Sequence, residues 1–248
     1  MFTPISCKCI TYGRVDLLEE SLYSFLNQDY YGDNEMLIVN DYPEQKLYFS
    51  HPRVRIINCD KTFSTIGEKE NFAVENCKYN TIAVWDDDDI ALSNHLFNID
   101  SFFPGYDLLH WHKGVFVNNN VIEGITGLGN SGIVYTKDIW EKAGRHALEN
   151  AGYDMTFVMN LAKNLKCKII SAAPSSTEVS WMYRWGGNSY HMSGAGTDTP
   201  DRENILIRHA RHIERLKNDG KIPIGDIELV PRWNVNYKEL LTEYLKRN

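Results

Sequence analysis

The run Trp85-Asp86-Asp87-Asp88-Asp89-Ile90 constrains this chain more than any other segment. It follows Thr81-Ile82-Ala83-Val84, a short apolar stretch that reads as a buried strand. Four carboxylates therefore stand where a core strand ends. Like charges packed this closely repel one another unless a cation neutralises them. Hard divalent cations, Mg or Mn, prefer carboxylate oxygens and commonly share their shell with substrate phosphates. In open α/β sheets, ligands bind at the carboxyl ends of strands. Position and chemistry together predict a metal–phosphate site. A solvated acidic turn is the plainer alternative, but such a turn has no need of Trp85 and Ile90 pressed against both its sides.

The rest of the first ninety residues supports that placement. Ile5–Thr11 reads as a strand, Tyr12-Gly13 as a turn, and Arg14–Asn27 as a helix with Val15, Leu18, Leu22, Phe25 and Leu26 on one stripe. Glu35–Asn40 and Val54–Asn58 read as strands. Thr65 and Glu68 form a capping box that opens a helix running to about Asn76. The order β-α-β-β-α-β predicts an α/β fold with a mostly parallel sheet. The second half is less regular. Residues 94–102 are expected to be helical, Tyr106–Val117 and Val121–Glu123 to be strands joined through Asn118-Asn119-Asn120, and Gly124–Gly132 to be a glycine-rich shaping loop. Helices are expected over Lys137–Arg145 and Tyr153–Asn164, and a strand over Lys168–Ser171. Trp181–Thr199 is expected to be a loop. A helix opens at Thr199-Pro200 and runs to about Asn218, and Asn236 with Glu239 caps a last short helix.

Composition narrows the classes of function. A net charge of −7 over 248 residues argues against a global electrostatic grip on nucleic acid. The five cysteines include no CxxC pair, which points to free thiols rather than a disulfide framework or a zinc site. Cys7 and Cys9 alternate along a strand and so face the same way. With no signal-peptide pattern and no apolar run long enough to span a bilayer, the expected location is cytoplasmic, with attachment to a membrane surface through a partner left open.

Several blocks occur in an order that resembles a family 2 glycosyltransferase: Ile10-Thr11-Tyr12-Gly13-Arg14, Leu26-Asn27-Gln28-Asp29-Tyr30, Met36-Leu37-Ile38-Val39-Asn40-Asp41, Gly67-Glu68-Lys69-Glu70-Asn71 and Trp85-Asp86-Asp87-Asp88-Asp89-Ile90. The resemblance covers roughly residues 4–100 well and continues more weakly to about 192. It implies a GT-A fold, a Rossmann-like, mostly parallel sheet flanked by helices. Residues 1–198 would form the catalytic domain, with a nucleotide-sugar half (1–100) and an acceptor half (101–198), and 199–248 a small helical C-terminal extension. It also implies an inverting enzyme that uses a nucleotide-diphosphate sugar, most often a UDP-sugar, with Mn or Mg. Thr11, Tyr12, Arg14, Asp41, Lys69, Asp86, Asp87 and Arg184 would bind the donor. Asp88 and His191 would hold the metal. Asp89, Trp185 and Tyr190 would face the sugar. The chain departs from the family's usual pattern at Ile10 and Gly13, where proline and asparagine are usual, and at Asn40-Asp41-Tyr42-Pro43, where Asp-Asp-Gly-Ser is usual.

The acceptor hydroxyl must lose its proton as it attacks the anomeric carbon. The resemblance aligns Asp154 with the family's catalytic carboxylate, and Tyr153 stands where the preceding glutamate is usual. A simple helix-capping aspartate is the alternative, and Glu149 is the fallback base. The arginine-rich helix after Pro200 reads as a solvated face, or as a grip on an anionic acceptor such as a lipid-linked saccharide or, less favoured by the acidic balance, modified DNA. Two rival functions stay open: a nucleotidyltransferase, and a non-catalytic module that binds sugar or protein through its aromatic loop.

Overall fold

The computed structural model describes residues 2–111, 114–126, 130–150, 152–164, 169–172, 179–185, 211 and 214–247. The strands are β1 (Ile5–Thr11), β2 (Asn34–Asn40), β3 (Gln45–Tyr48), β4 (Val54–Asn58), β5 (Thr81–Val84), β6 (Ile90–Ala91), β7 (Leu108–Trp111), β8 (Gly114–Asn118), β9 (Val121–Thr126), β10 (Ile133–Thr136), β11 (Ile169–Ala172), β12 (Trp181–Trp185) and β13 (Gly225–Glu228). The helices are α1 (Val15–Leu26), α2 (Ile66–Asn76), α3 (His95–Phe102), α4 (Lys137–Lys142), α5 (Tyr153–Asn164) and α6 (Tyr237–Arg247).

The central sheet has the order β11-β7-β10-β5-β1-β2-β4. Strands β5, β1, β2 and β4 are mutually parallel, and β10 runs against both its neighbours. After β1 the chain steps outward to β2 and β4, then returns across the sheet to place β5 on the other side of β1. The strand order therefore reverses between β1 and β5. Doubly wound sheets bind ligands outside the carboxyl ends of their strands at such a reversal. The loops that leave β1 and β5 at those ends carry Tyr12-Gly13-Arg14 and Asp86–Asp89.

Two-residue alternation sends the strand side chains to two layers. Cys7, Cys9, Met36 and Ile38 pack with Leu18, Leu22 and Phe25 of α1 and Leu96 and Ile99 of α3. Leu37, Val39, Ile82 and Val84 pack on the other face with Ala73 and Val74 of α2, Trp140 of α4 and Phe157 and Leu161 of α5. The shared face expected of Cys7 and Cys9 is thus found in the core under α1. The Thr65 cap is also found: its hydroxyl accepts from Glu68 N at 3.0 Å, while Glu68 Oε2 accepts from Ser64 N at 2.9 Å.

Tertiary pairing changes several expectations in the second half. Trp181–Thr199 is not a loop throughout, because residues 181–185 form β12, held between β8 and β6 in a second sheet of order β6-β12-β8-β9. Its alternation serves two cores, with Trp181 in the α1 layer and Met182 in a cluster with Val115, Val117 and Tyr237. Residues 106–117 are not one strand; β7 lies in the central sheet and β8 in the second. The hairpin at Asn118-Asn119-Asn120 stands, with Asn119 and Asn120 both at positive φ (48° and 64°), the conformation such two-residue turns require. Gly124 belongs to β9 rather than to a loop. The fourth helix stops at Lys142, short of Arg145, because Gly144 (φ 84°) and Arg145 (φ 69°) turn left-handed. Strands β3, β6, β10 and β13 had no counterpart in the sequence reading. The C-terminal segment is accordingly not all helix: β13 pairs in parallel with β3, residues 214–218 are helical, and α6 is capped by Asn236 Oδ1, which accepts from Glu239 N at 3.2 Å. The expected start of a helix at Thr199-Pro200 lies outside the described residues.

Candidate active site

The turn after β1 carries Gly13 at φ 73°, a left-handed position that glycine takes without strain and asparagine tolerates better than most residues. That equivalence accounts for glycine standing where the family usually has asparagine. The turn aims Arg14 at the acidic run. Arg14 Nε donates to Asp87 Oδ2 at 3.1 Å, its second terminal nitrogen donates to Asp87 Oδ1, and NH1 donates to Asp88 Oδ2 at 2.7 Å. Burial works against the guanidinium charge, yet Asp87 and Asp88 outweigh it and push the Arg14 pKa up. Burial also pushes Asp87 up to about 6, against the pull of Arg14 and with the repulsion of Asp88. Asp89 is driven well above the usual carboxylate range by burial and by its neighbours Asp88 and Asp86.

Two further groups shape the run from behind. The Ser131 hydroxyl lies 2.9 Å from Asp86 Oδ2 and 2.7 Å from Asp89 Oδ2, so its single proton serves one carboxylate at a time. The Arg184 N–H donates to Asp89 Oδ1 at 3.0 Å and the Arg184 guanidinium to the Asp88 carbonyl. The same guanidinium pairs with Glu20 and donates to the Tyr237 hydroxyl at 3.1 Å, and Tyr237 in turn donates to Glu20 at 3.2 Å. Arg184, expected from the resemblance to bind the donor, is thus buried beneath the turn and ties it to α1 and α6. Glu20 and Ser131 carry no motif of their own and went unnoticed in the sequence, where each is one polar residue in an unremarkable segment.

The flank toward β2 joins three of the expected residues. Lys69 donates to Asp41 and, at 2.7 Å, to the Thr11 carbonyl. Asp41 Oδ2 also accepts from Phe63 N at 3.0 Å. Burial lowers the Lys69 pKa, and Asp41 partly restores it. Tyr12 packs edge-on against Tyr42 at 4.9 Å, in a cluster with Leu216 and Ile222 from the C-terminal segment.

The flank toward α5 is set by α2. Gly67 N donates to the Glu149 carbonyl at 3.0 Å and Ile66 N to Asn150 Oδ1 at 3.0 Å. Asn71 Oδ1 accepts from His146 N at 2.9 Å and from Trp140 Nε1 at 3.0 Å. These bonds moor residues 146–150 on the start of α2 and so fix where α5 begins. A Cβ on Gly67 would stand 1.7 Å from the Ala147 carbonyl oxygen. Gly67→Ala is therefore expected to cost about 1–3 kcal/mol through backbone displacement, read as a lowered urea midpoint; an unchanged midpoint would show that the mooring gives way freely.

Asp154 stands half-buried in the first turn of α5, where the helix dipole favours a carboxylate. Beneath it, the Tyr153 hydroxyl donates to Glu70 Oε1 at 3.3 Å, and Glu70 pairs with Lys8 of β1. Burial lowers the Lys8 pKa to about 8, and the negative charges of Asp86 and Asp154 oppose that shift. Of the remaining expected residues, Trp185 ends β12 beside Asn118; Tyr190 and His191 lie outside the described residues.

The turn also shows how it would take a cation. Its buried oxygens are carboxylates, the donors that Mg and Mn prefer. A positive charge already stands at Asp88, the guanidinium of Arg14. Among the described residues, no three Asp, Glu, His or Cys side chains are grouped as a complete metal shell. The donor chemistry of the turn thus suits a divalent cation, and the Asp88 carboxylate stands among its buried oxygens.

Comparison with known proteins bears on the fold. Residues 8–99 match the model of the glycosyl transferase family 2. No curated protein matches the chain. Among solved structures, residues 1–349 of S. aureus TarS in complex with UDP-GlcNAc superpose with a TM-score of 0.57 at 15% identity, over 99% of this chain and 72% of that one. A mannosyltransferase from Pyrobaculum calidifontis in complex with GDP-Man and Mn2+ gives a TM-score of 0.56 at 14% identity, over 90% of this chain and 67% of that one. At such identities the superpositions speak for the fold, and the family match speaks for residues 8–99. The chain thus has a GT-A fold, and its residues 8–99 are similar to the family 2 glycosyl transferases.

Proposed function

We propose that this protein transfers a sugar from a nucleotide-diphosphate donor, with a UDP-sugar as the first choice, to an acceptor hydroxyl with inversion at the anomeric carbon. The observation that carries the proposal is the meeting of the β1 and β5 loops at the point where the strand order reverses, with Arg14 laid across Asp87 and Asp88. The two structural neighbours hold UDP-GlcNAc and GDP-Man, nucleotide sugars both. The nucleoside would lie along Thr11, Tyr12 and Asp41, and the diphosphate over Arg14 and the acidic turn, with Lys69 holding Asp41 in place. A divalent cation held by Asp88 and His191 would neutralise charge on the leaving diphosphate.

Asp154 takes the acceptor proton as the oxygen attacks the anomeric carbon in line with the departing nucleoside diphosphate. The C–O bond to the acceptor forms as the C–O bond to the β-phosphate breaks. The acceptor enters from the α5 side, as a saccharide or a lipid-linked saccharide. Among the described residues no helix is long and apolar enough to cross a membrane, so a lipid-linked acceptor would be met at the membrane surface.

Calorimetric titration of UDP and GDP in Mn2+ buffer tests the proposal. The wild type is expected to bind one of them, and Asp88→Ala to weaken that binding by about tenfold or more, the scale of a lost charge-assisted contact. Absence of binding for every nucleoside diphosphate would sink the transferase reading. Pyrophosphate release from a nucleoside triphosphate would favour a nucleotidyltransferase.

A further inference from the structure

The acidic run is the most conspicuous motif in the chain, yet the side chain that reaches open space across Asp87 and Asp88 is a cation. The Arg14 side chain keeps 16% of its exposure, against 1% for Asp87 and 6% for Asp88. An anion approaching this part of the turn therefore meets the guanidinium before it meets either carboxylate. Asp87 grips Arg14 through two parallel N–H···O bonds, a fork that fixes the plane of the guanidinium as well as its position. Asp88 takes a third N–H at 2.7 Å. Among the described residues these bonds engage three of the five N–H groups that a guanidinium carries, which leaves two for an anion. Gly13, left-handed at φ 73°, and the start of α1 behind Val15 hold the backbone that delivers the side chain.

We propose that Arg14 is the resident cation of the donor site: oriented by Asp87, it binds the diphosphate of the donor directly, so that nucleoside-diphosphate binding persists without a divalent metal. This rests on the nucleotide-sugar reading above and sharpens it. The two unengaged N–H groups receive phosphate oxygens while Asp87 keeps its fork. Asp87 then acts as a positioning residue, and Asp88 is the carboxylate shared between Arg14 and an incoming cation. The same guanidinium would face the charge that gathers on the leaving diphosphate during transfer, so its contribution extends from donor binding to the reaction itself.

The test is calorimetric titration of UDP and GDP into the wild type, Arg14→Gln and Arg14→Lys, each in EDTA and in Mn2+, with a thermal melt of each variant alongside. The wild type is expected to keep binding in EDTA within about tenfold of its Mn2+ affinity, and Arg14→Gln to lose about tenfold or more in EDTA, the scale of a lost charge-assisted contact, while Mn2+ restores much of that loss. Arg14→Lys, which keeps the charge but not the fork, should fall between them in EDTA. Wild-type binding that vanishes in EDTA overturns the proposal and leaves the nucleotide site standing as a purely metal-dependent one. Equal EDTA affinities for wild type and Arg14→Gln overturn it as well. The wild-type arm decides the matter even where Arg14→Gln melts early. Silence from every nucleoside diphosphate in both buffers overturns the nucleotide-sugar reading instead, so the two failures are distinguishable.

Discussion

Asp154→Asn is expected to lower kcat by about 10²–10⁴-fold, the range over which a positioned general base accelerates proton transfer, while nucleoside-diphosphate affinity stays within about twofold of wild type. The substitution keeps size and the hydrogen-bonding capacity of a helix N-terminus, so a merely capping aspartate would lose little. The location favours the larger effect. Asp154 is half-buried at the start of α5, just after residues 149 and 150, which bonds from Gly67 and Ile66 moor on α2. The deciding measurement is single-turnover transfer from the donor that calorimetry identifies, with Glu149→Gln alongside. Near-normal turnover by Asp154→Asn would remove it from the base role, and a collapse confined to Glu149→Gln would move the role there.

A second large effect is expected in stability rather than turnover. Lys8 and Glu70 are 1% and 0% exposed and pair with each other in the interior between β1 and α2. Removing one partner of such a pair strands the other charge in a poorly polarisable interior. Lys8→Met or Glu70→Leu alone should therefore cost about 3–5 kcal/mol, whereas the double substitution should recover most of that loss. Urea unfolding of the four proteins closes the cycle; a double variant no more stable than either single one would show that the pair is not the governing interaction. The wild type should also carry a pH signature. Burial pulls Lys8 down from its ordinary 10.5 to about 8. Between those values the unfolded chain keeps the lysine proton after the folded chain has released it. The unfolded state then binds more protons, so this group makes stability rise with pH across the window from 8 to 10.5. Lys8→Met should lack that slope. Tyr153, bonded to Glu70 at 3.3 Å where the family usually has glutamate, joins this pair to the start of α5. The single variants should accordingly lower kcat as well as stability.

The elements that read well from sequence are those whose signal is local. The stripe of α1, the capping box of α2 and the strand leading into the acidic run each need only near neighbours to show themselves, and each is found within a residue or two of its expected bounds. The elements that did not read are those whose reason lies far along the chain. Strand β12 exists because β8 and β6 flank it, and β13 because β3 offers an edge. Neither leaves a periodic trace strong enough to separate strand from loop. The site divides the same way. The residue types, Asp86–Asp89, Lys69, Asp41 and Asp154, were visible as a pattern. Their electrostatic partners were not. Arg14 meets Asp87 across 73 positions, Ser131 meets Asp86 across 45, and Arg184 meets Glu20 across 164. Arg184 illustrates the limit most clearly: its position along the chain suggested the donor, but its burial with Glu20 and Tyr237 makes it a brace under the turn.

By itself, then, the sequence determined the parallel α/β half of this protein and the chemistry at its mouth, since hydrophobic periodicity and four adjacent carboxylates are written in consecutive residues. Only the tertiary structure decided which groups neutralise those carboxylates, with Arg14 laid across the turn and Arg184 supporting it from below. Charge pairing depends on distance through space in a medium of low polarisability, and no spacing along a chain encodes that distance.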